Sequence, residues 1–239
     1  MIATFAALLF AHTLADFVLQ TKWMVTRKRE PQIILLHGVI VLITAQAALG
    51  TVTAWQLGAL AAAHLIIDTI KTYALPRGIW PFLADQAAHL ATLIALAVYA
   101  PDLWQQGLWA NLDWLPTLFA LLAGFLIATR AGGFAIAFLM DQWQDQELPP
   151  GLPNGGALIG TLERSLIFLL VIVGQPAGIG FLIAAKSVLR FDTTSQNQRA
   201  GEYVIIGTLA SFGWALAASY ATVSLIGHLP PLGILPATP

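Results

Sequence analysis

The chain reads as an all-α, polytopic transmembrane helical bundle of about eight membrane segments. Two observations predict that class. Of the 239 residues, 58% are hydrophobic and only 10% are charged, with mean hydropathy +0.76. An average soluble domain carries about 25% charged residues, so this chain has too little polar surface to cover a water-facing exterior. The apolar residues also fall into runs approaching the ~20 residues with which a helix crosses a ~30 Å hydrocarbon core. There is no cysteine, which excludes disulfides and thiolate sites and leaves nitrogen and oxygen as the ligands for any metal.

Met1 leads straight into apolar sequence without a basic n-region, so the first helix, 2–19, is expected to be retained and not cleaved as a signal peptide. Further spans are predicted near 33–50, 54–72, 82–100 and 114–132. Residues 134–148 suggest an interfacial extension, because Phe134, Ile136, Phe138 and Leu139 precede a polar stretch. A span at 156–174 follows the turn-rich Gly151–Gly156 segment. The run 177–190 is short and follows Gly174-Gln175-Pro176, which predicts a half-helix or re-entrant segment, and 203–226 closes the bundle. The whole is expected to be a single membrane domain, 1–239. A His/Asp-bearing four-helix half, 1–100, is followed by a packing half, 114–226, that contributes Glu163, Arg164, Lys186 and Arg190.

Lys22, Arg27, Lys28 and Arg29 place the first loop in the cytoplasm by the positive-inside rule, and the N-terminus outside. Lys71, Arg77, Arg130, Lys186, Arg190 and Arg199 fall on the same side of an alternating map, that of a bacterial inner membrane protein. The opposite segments carry Asp102 and Asp113 but no lysine or arginine. Trp104, Trp109 and Trp114 are expected at the outer interface, with Trp23, Trp80 and Trp143 at the inner one.

Three histidines have an aspartate four residues away: His12 with Asp16, His64 with Asp68, and His89 with Asp85. That step puts both side chains on one helix face. At 1.5 Å rise per residue, His12, His64 and His89 all lie roughly 10–12 Å from the basic face. Asp16, Asp68, Asp85 and His37 lie closer to it. Ionisable groups are costly inside a membrane and usually face a bundle interior at a functional site. One His-Asp pair is equally well read as an interhelical hydrogen bond. Three pairs and His37 at matched depths read as a site for a divalent metal, zinc first, with manganese or iron as alternatives.

Glu163 and Arg164 reach the depth of the histidines from the sixth helix. Glu163 suits a metal ligand, a general base or an arginine partner equally well. Asp68 and Glu163 are the candidate catalytic carboxylates. Arg164, Lys186 and Arg190 are the candidate clamp for an anionic substrate group, the alternative for the last two being membrane-interface anchors. His228 lies beyond the last span and is expected to have no role. No phosphate-binding loop, GxSxG elbow, HExxH motif or dinucleotide fingerprint is present, and nothing points to nucleic acid.

The segments HTLADFVLQ (12–20), HLIIDTIK (64–71), DQAAHL (85–90), IGTLERSLIFLL (159–170), GFLIAAKSVLRF (180–191) and EYVIIGTLASF (202–212) resemble a bacterial integral-membrane family classed as a domain of unknown function, number 3307. The resemblance implies a membrane protein but no particular activity. The HxxxD elements are loosely similar to those of membrane-bound metal-dependent hydrolases. The reading that follows is a membrane-embedded metal-dependent hydrolase, acting on an amphiphilic or anionic ester or phosphoester near the cytoplasmic leaflet. The expected partners are the lipid bilayer and that small substrate, and an oligomer is compatible with the sequence. A metal-ion or proton-coupled transporter using the same cluster is the alternative, and a non-catalytic scaffold the third reading. A tight site open on one side favours the enzyme, whereas a polar path to both faces favours transport.

Overall fold

The computed structural model describes residues 1–143, 152–195 and 198–232, except for the side chains of 189–195, 198 and 200. Helix α1 (Ile2–Leu14) runs into a π-turn at Ala15–Leu19, closed by the Gln20 N–H donating to the Ala15 carbonyl across 2.9 Å. A short α2 (Lys22–Thr26) is capped by the Thr21 hydroxyl, which accepts from the Met24 N–H. Helix α3 (Pro31–Leu49) begins with the proline that a first turn tolerates and stops at Gly50, whose φ of 68° is left-handed. Helices α4 (Trp55–Ala74) and α5 (Ile79–Tyr99) complete the N-terminal unit. Then come α6 (Leu115–Leu126), a second π-turn (Ile127–Ala131), α7 (Gly132–Met140), α8 (Gly155–Ile172), α9 (Gly178–Ser195) and α10 (Gln198–Ile226). No strand occurs among the described residues.

Six of these helical runs are long and apolar enough to cross a membrane. The difference from about eight lies in α4 and α9. Helix α4 has the length of a span, but Gln56, His64, Asp68 and Lys71 make it more polar than the others. The apolar part of α9 extends only over Gly178–Val188, as its brevity in sequence suggests. Residues 115–143 form one candidate span, so 134–143 continue that helix and are not a separate interfacial piece. The remainder of the expected extension, 144–148, lies outside the described residues.

Helix α1 packs against α3, α5 and α6, and α3–α4–α5 pack in sequence, so α1 is shared between the N-terminal unit and the rest. Leu8, Leu49, Leu57, Leu93 and Leu103 form an apolar core at the end of the bundle near Met1. The loop 100–114 folds over that end. Thr4 Oγ1 donates to the Pro101 carbonyl and accepts from the Trp104 N–H, and the Leu108 N–H donates to the Gly50 carbonyl. A Cβ on Gly50 would stand 2.8 Å from the Leu108 nitrogen, so both its dihedral and its neighbours require glycine. Trp104 is 5% exposed and belongs to this core, which corrects its placement at an interface. Its loop turns inward, with the Trp104 ring edge-on to Phe119. Trp109 and Trp114 remain partly exposed.

Candidate metal centre

The chain direction puts the basic segments 22–29 and 71–77 together at the end opposite Met1. The His/Asp residues lie between that end and the apolar core. Each four-residue step brings its partners together: His12 Nδ1 is 3.8 Å from Asp16 Oδ1, His64 Nε2 is 3.7 Å from Asp68 Oδ2, and His89 Nδ1 is 3.8 Å from Asp85 Oδ1. All are buried or nearly so. Asp16 sits in the first π-turn, where one extra residue per turn changes the direction of the following side chains.

His37 occupies the middle of the cluster. Its Nε2 is 3.1 Å from His64 Nε2, 3.3 Å from Asp16 Oδ1 and 3.6 Å from Asp68 Oδ2. His64 Nε2 is 3.5 Å from Asp16 Oδ1. With the 3.7 Å His64–Asp68 distance, these are five of the six edges joining four donor atoms. Ligands held about 2.0–2.1 Å from a tetrahedral ion stand about 3.3 Å from one another, close to these five lengths; donors within 4.8 Å of one another group as His37, His64 and Asp68, and as His12, Asp16 and His64. The hydrogen bonding fits as well. Asp16 Oδ1 and Asp68 Oδ2 are buried and accept no hydrogen bond, an arrangement that is costly without a cation.

The sequence places His37 with the carboxylates and the other histidines in a deeper layer. In the structure the two layers merge, because the side chains are long enough to span their separation along the helix axes. His12 and His89 flank the group, their rings 5.1 Å apart, and His89 lies 4.1 Å from His64, centroid to centroid. Asp85 is the remaining carboxylate.

Two lysines that serve in sequence only as markers of orientation are part of the site. Lys28 donates to Asp68 Oδ1 across 2.8 Å, and Lys71 donates to Asp85 Oδ2. Lys71 was not legible as a partner of Asp85, which lies on the following helix. Nor was Lys28, which reaches Asp68 from another segment. A cavity of about 500 Å³ opens beside them. Asp16, Gln86, Lys28, Arg29, Lys71 and Arg77 line it, together with Phe17, Phe134 and Phe138. Asp16 is the residue through which the cavity meets the four-atom group.

The C-terminal candidates lie elsewhere. Lys186 Nζ donates to Glu163 Oε2 across 2.7 Å, and no contact joins Glu163 to the His/Asp cluster among the described residues. Arg164, 4% exposed, donates to the Thr129 carbonyl through Nε and Nη2 and to Ser211 Oγ through Nη1. Trp214 Nε1 donates to the Ile127 carbonyl. Both side chains therefore satisfy carbonyls of the second π-turn, which its altered hydrogen bonding leaves accessible. Glu163, Arg164 and Lys186 line a separate cavity of about 550 Å³, and the side chain of Arg190 lies outside the described residues. Matching depth did not bring these groups to the histidines because they sit on other helices. Arg164→Met is expected to lower stability by about 1–3 kcal/mol, the cost of buried carbonyl and hydroxyl groups losing their donor, with metal content unchanged. Thermal unfolding in detergent and elemental analysis of the same preparation check both parts.

Comparison with curated proteins and with solved structures gives no match. Residues 4–111 match the family model described as "Protein of unknown function (DUF3307)". That segment contains all seven histidines and aspartates of the cluster and the four cations of the adjoining cavity, and none of the C-terminal candidates. The similarity to the DUF3307 model thus falls on the part of the chain that builds the site.

Proposed function

We propose that this protein is a metal-dependent hydrolase working within the membrane on an anionic amphiphilic ester or phosphoester. The observation that carries the reading is the convergence of Asp16, His37, His64 and Asp68 on one point, beside a cavity with four cations. A divalent cation held there supplies Lewis acidity and lowers the pKa of bound water toward ~7. Zinc suits the tetrahedral edges, with manganese or iron as alternatives. Lys28, Arg29, Lys71 and Arg77 would hold the anionic group of the substrate, as charge-assisted donors do. Phe17, Phe134 and Phe138 would receive its apolar part. With the basic end in the cytoplasm, the cavity would open at the inner leaflet of a bacterial inner membrane and the N-terminus would lie outside.

The far side of the cluster supports hydrolysis over transport. There the void is about 10 Å³, lined by Leu8, Ala11, Val41, Ala45, Leu60 and Leu93 beside the histidines. It has room for about one water molecule, and the apolar core lies beyond it. Ions crossing the bundle would need a polar path through that layer.

The test uses full-length protein in detergent with ZnCl2 or MnCl2 and a panel of anionic and zwitterionic lipid esters and phosphoesters. Cleavage of anionic members that stops on chelation is the expected result. Metal uptake by proteoliposomes, with no cleavage of any panel member, would replace this reading with transport.

A further inference from the structure

Filling the four-atom group leaves part of the cluster without partners. His89 is fully buried and neither ring nitrogen has a hydrogen-bond partner. Asp85 Oδ1, on a side chain also buried, accepts no hydrogen bond. Lys71 already occupies Asp85 Oδ2, just as Lys28 occupies Asp68 Oδ1, so each aspartate turns its other oxygen away from its lysine. One donor atom from each of Asp68, Asp85 and His89 lies within 4.8 Å of the other two. Three unsatisfied donors so disposed are costly unless something bridges them.

We infer that a second divalent cation binds at Asp85, His89 and Asp68, with Asp68 shared between the two centres. The inference rests on the metal-centre reading and extends it. The two sites differ in kind. The first offers two imidazoles and two carboxylates, and Asp16 borders the cavity from which water or substrate would reach a cation held there. The second offers three ligands, two of them carboxylates. A set dominated by carboxylates suits manganese or magnesium, with waters completing the shell. Adjacent paired ions are the arrangement that clamps the attacking and leaving oxygens of a phosphoester.

Charge points to the same substrate class. Three aspartates and two lysines leave the cluster formally at −1 with neutral imidazoles. Two divalent ions bring it to +3, which a hydroxide and a dianionic phosphate balance and a neutral carboxylic ester does not. With Arg29 and Arg77 at the cavity adding to this positive charge, the substrate narrows from esters in general to phosphoesters with an apolar tail.

The experiment is titration of full-length, detergent-solubilised protein with ZnCl2 and MnCl2, counting bound metal after dialysis and recording the Mn(II) electron paramagnetic resonance spectrum. Wild type is expected to hold two ions per chain with a coupled Mn(II) pair. Asp85→Asn and His89→Gln should each hold one ion and show isolated Mn(II), and Lys71→Met should retain two. Either of the two ligand variants suffices if the other fails to fold. Saturation of wild type at one ion, unchanged in Asp85→Asn, would overturn the second site and leave the first standing. No bound metal in wild type overturns both.

Discussion

Replacing His37 with alanine is expected to remove the metal of the four-atom group. His37 Nε2 forms the shortest edge of that group and two of the imidazole–carboxylate edges. Losing an outer-shell partner typically costs 10–100-fold in metal affinity, so losing this ligand should cost more. The loss should also appear in stability. A ligand present at 100 times its Kd stabilises by about 2.7 kcal/mol. Chelation should therefore lower the Tm of wild type by the amount that separates it from His37→Ala, and should leave the variant unmoved. His12→Ala is the discriminating comparison. From sequence His12 is a primary ligand; in the structure it lies with Asp16 and His64, its Nδ1 3.8 Å from Asp16 Oδ1, a longer approach than those of His37. It should retain the metal, as should His228→Ala, whose ring pairs with the Ser224 carbonyl at the end of α10. Equal metal loss from His12→Ala and His37→Ala would mean that the four atoms are wrongly chosen.

The second large effect concerns the cavity mouth. Arg29 and Arg77 line it, and Arg77 pairs with Asp141, at 3.2 Å, and lies over the Phe138 ring while remaining 74% exposed. The double charge reversal Arg29→Glu/Arg77→Glu should therefore spare the metal centre and weaken anionic substrates. Hydrogen bonds to charged groups contribute about 1.5–3 kcal/mol, so KM should rise about 10-fold or more with kcat little changed. Zwitterionic lipids should show no comparable rise. A fall in kcat at constant KM would show instead that these residues act on the chemical step or on the fold.

How far the site was legible depends on the kind of distance involved. Within one helix the four-residue period places His12 by Asp16, His64 by Asp68 and Asp85 by His89, and each pair is found in contact. The class of fold was legible for a similar reason, since run length and hydropathy belong to each segment separately. The number of spans was less so, because α4 trades hydropathy for the very residues that make the site. The two π-turns carry no sequence signal, although one holds Asp16 and the other holds the carbonyls that engage Arg164 and Trp214.

Sequence alone determined depth: which His and Asp residues lie near one level of the bundle, and which end of it is basic. Depth follows from counting 1.5 Å per residue from a charged boundary. Tertiary structure alone decided which groups at that level meet. Rotation about each helix axis and the choice of neighbours are set by packing among α1, α3, α4 and α5. That packing moved His37 to the centre and brought Lys28 onto Asp68. It also left Glu163 with Lys186, although counting residues had assigned Glu163 to the histidines' level.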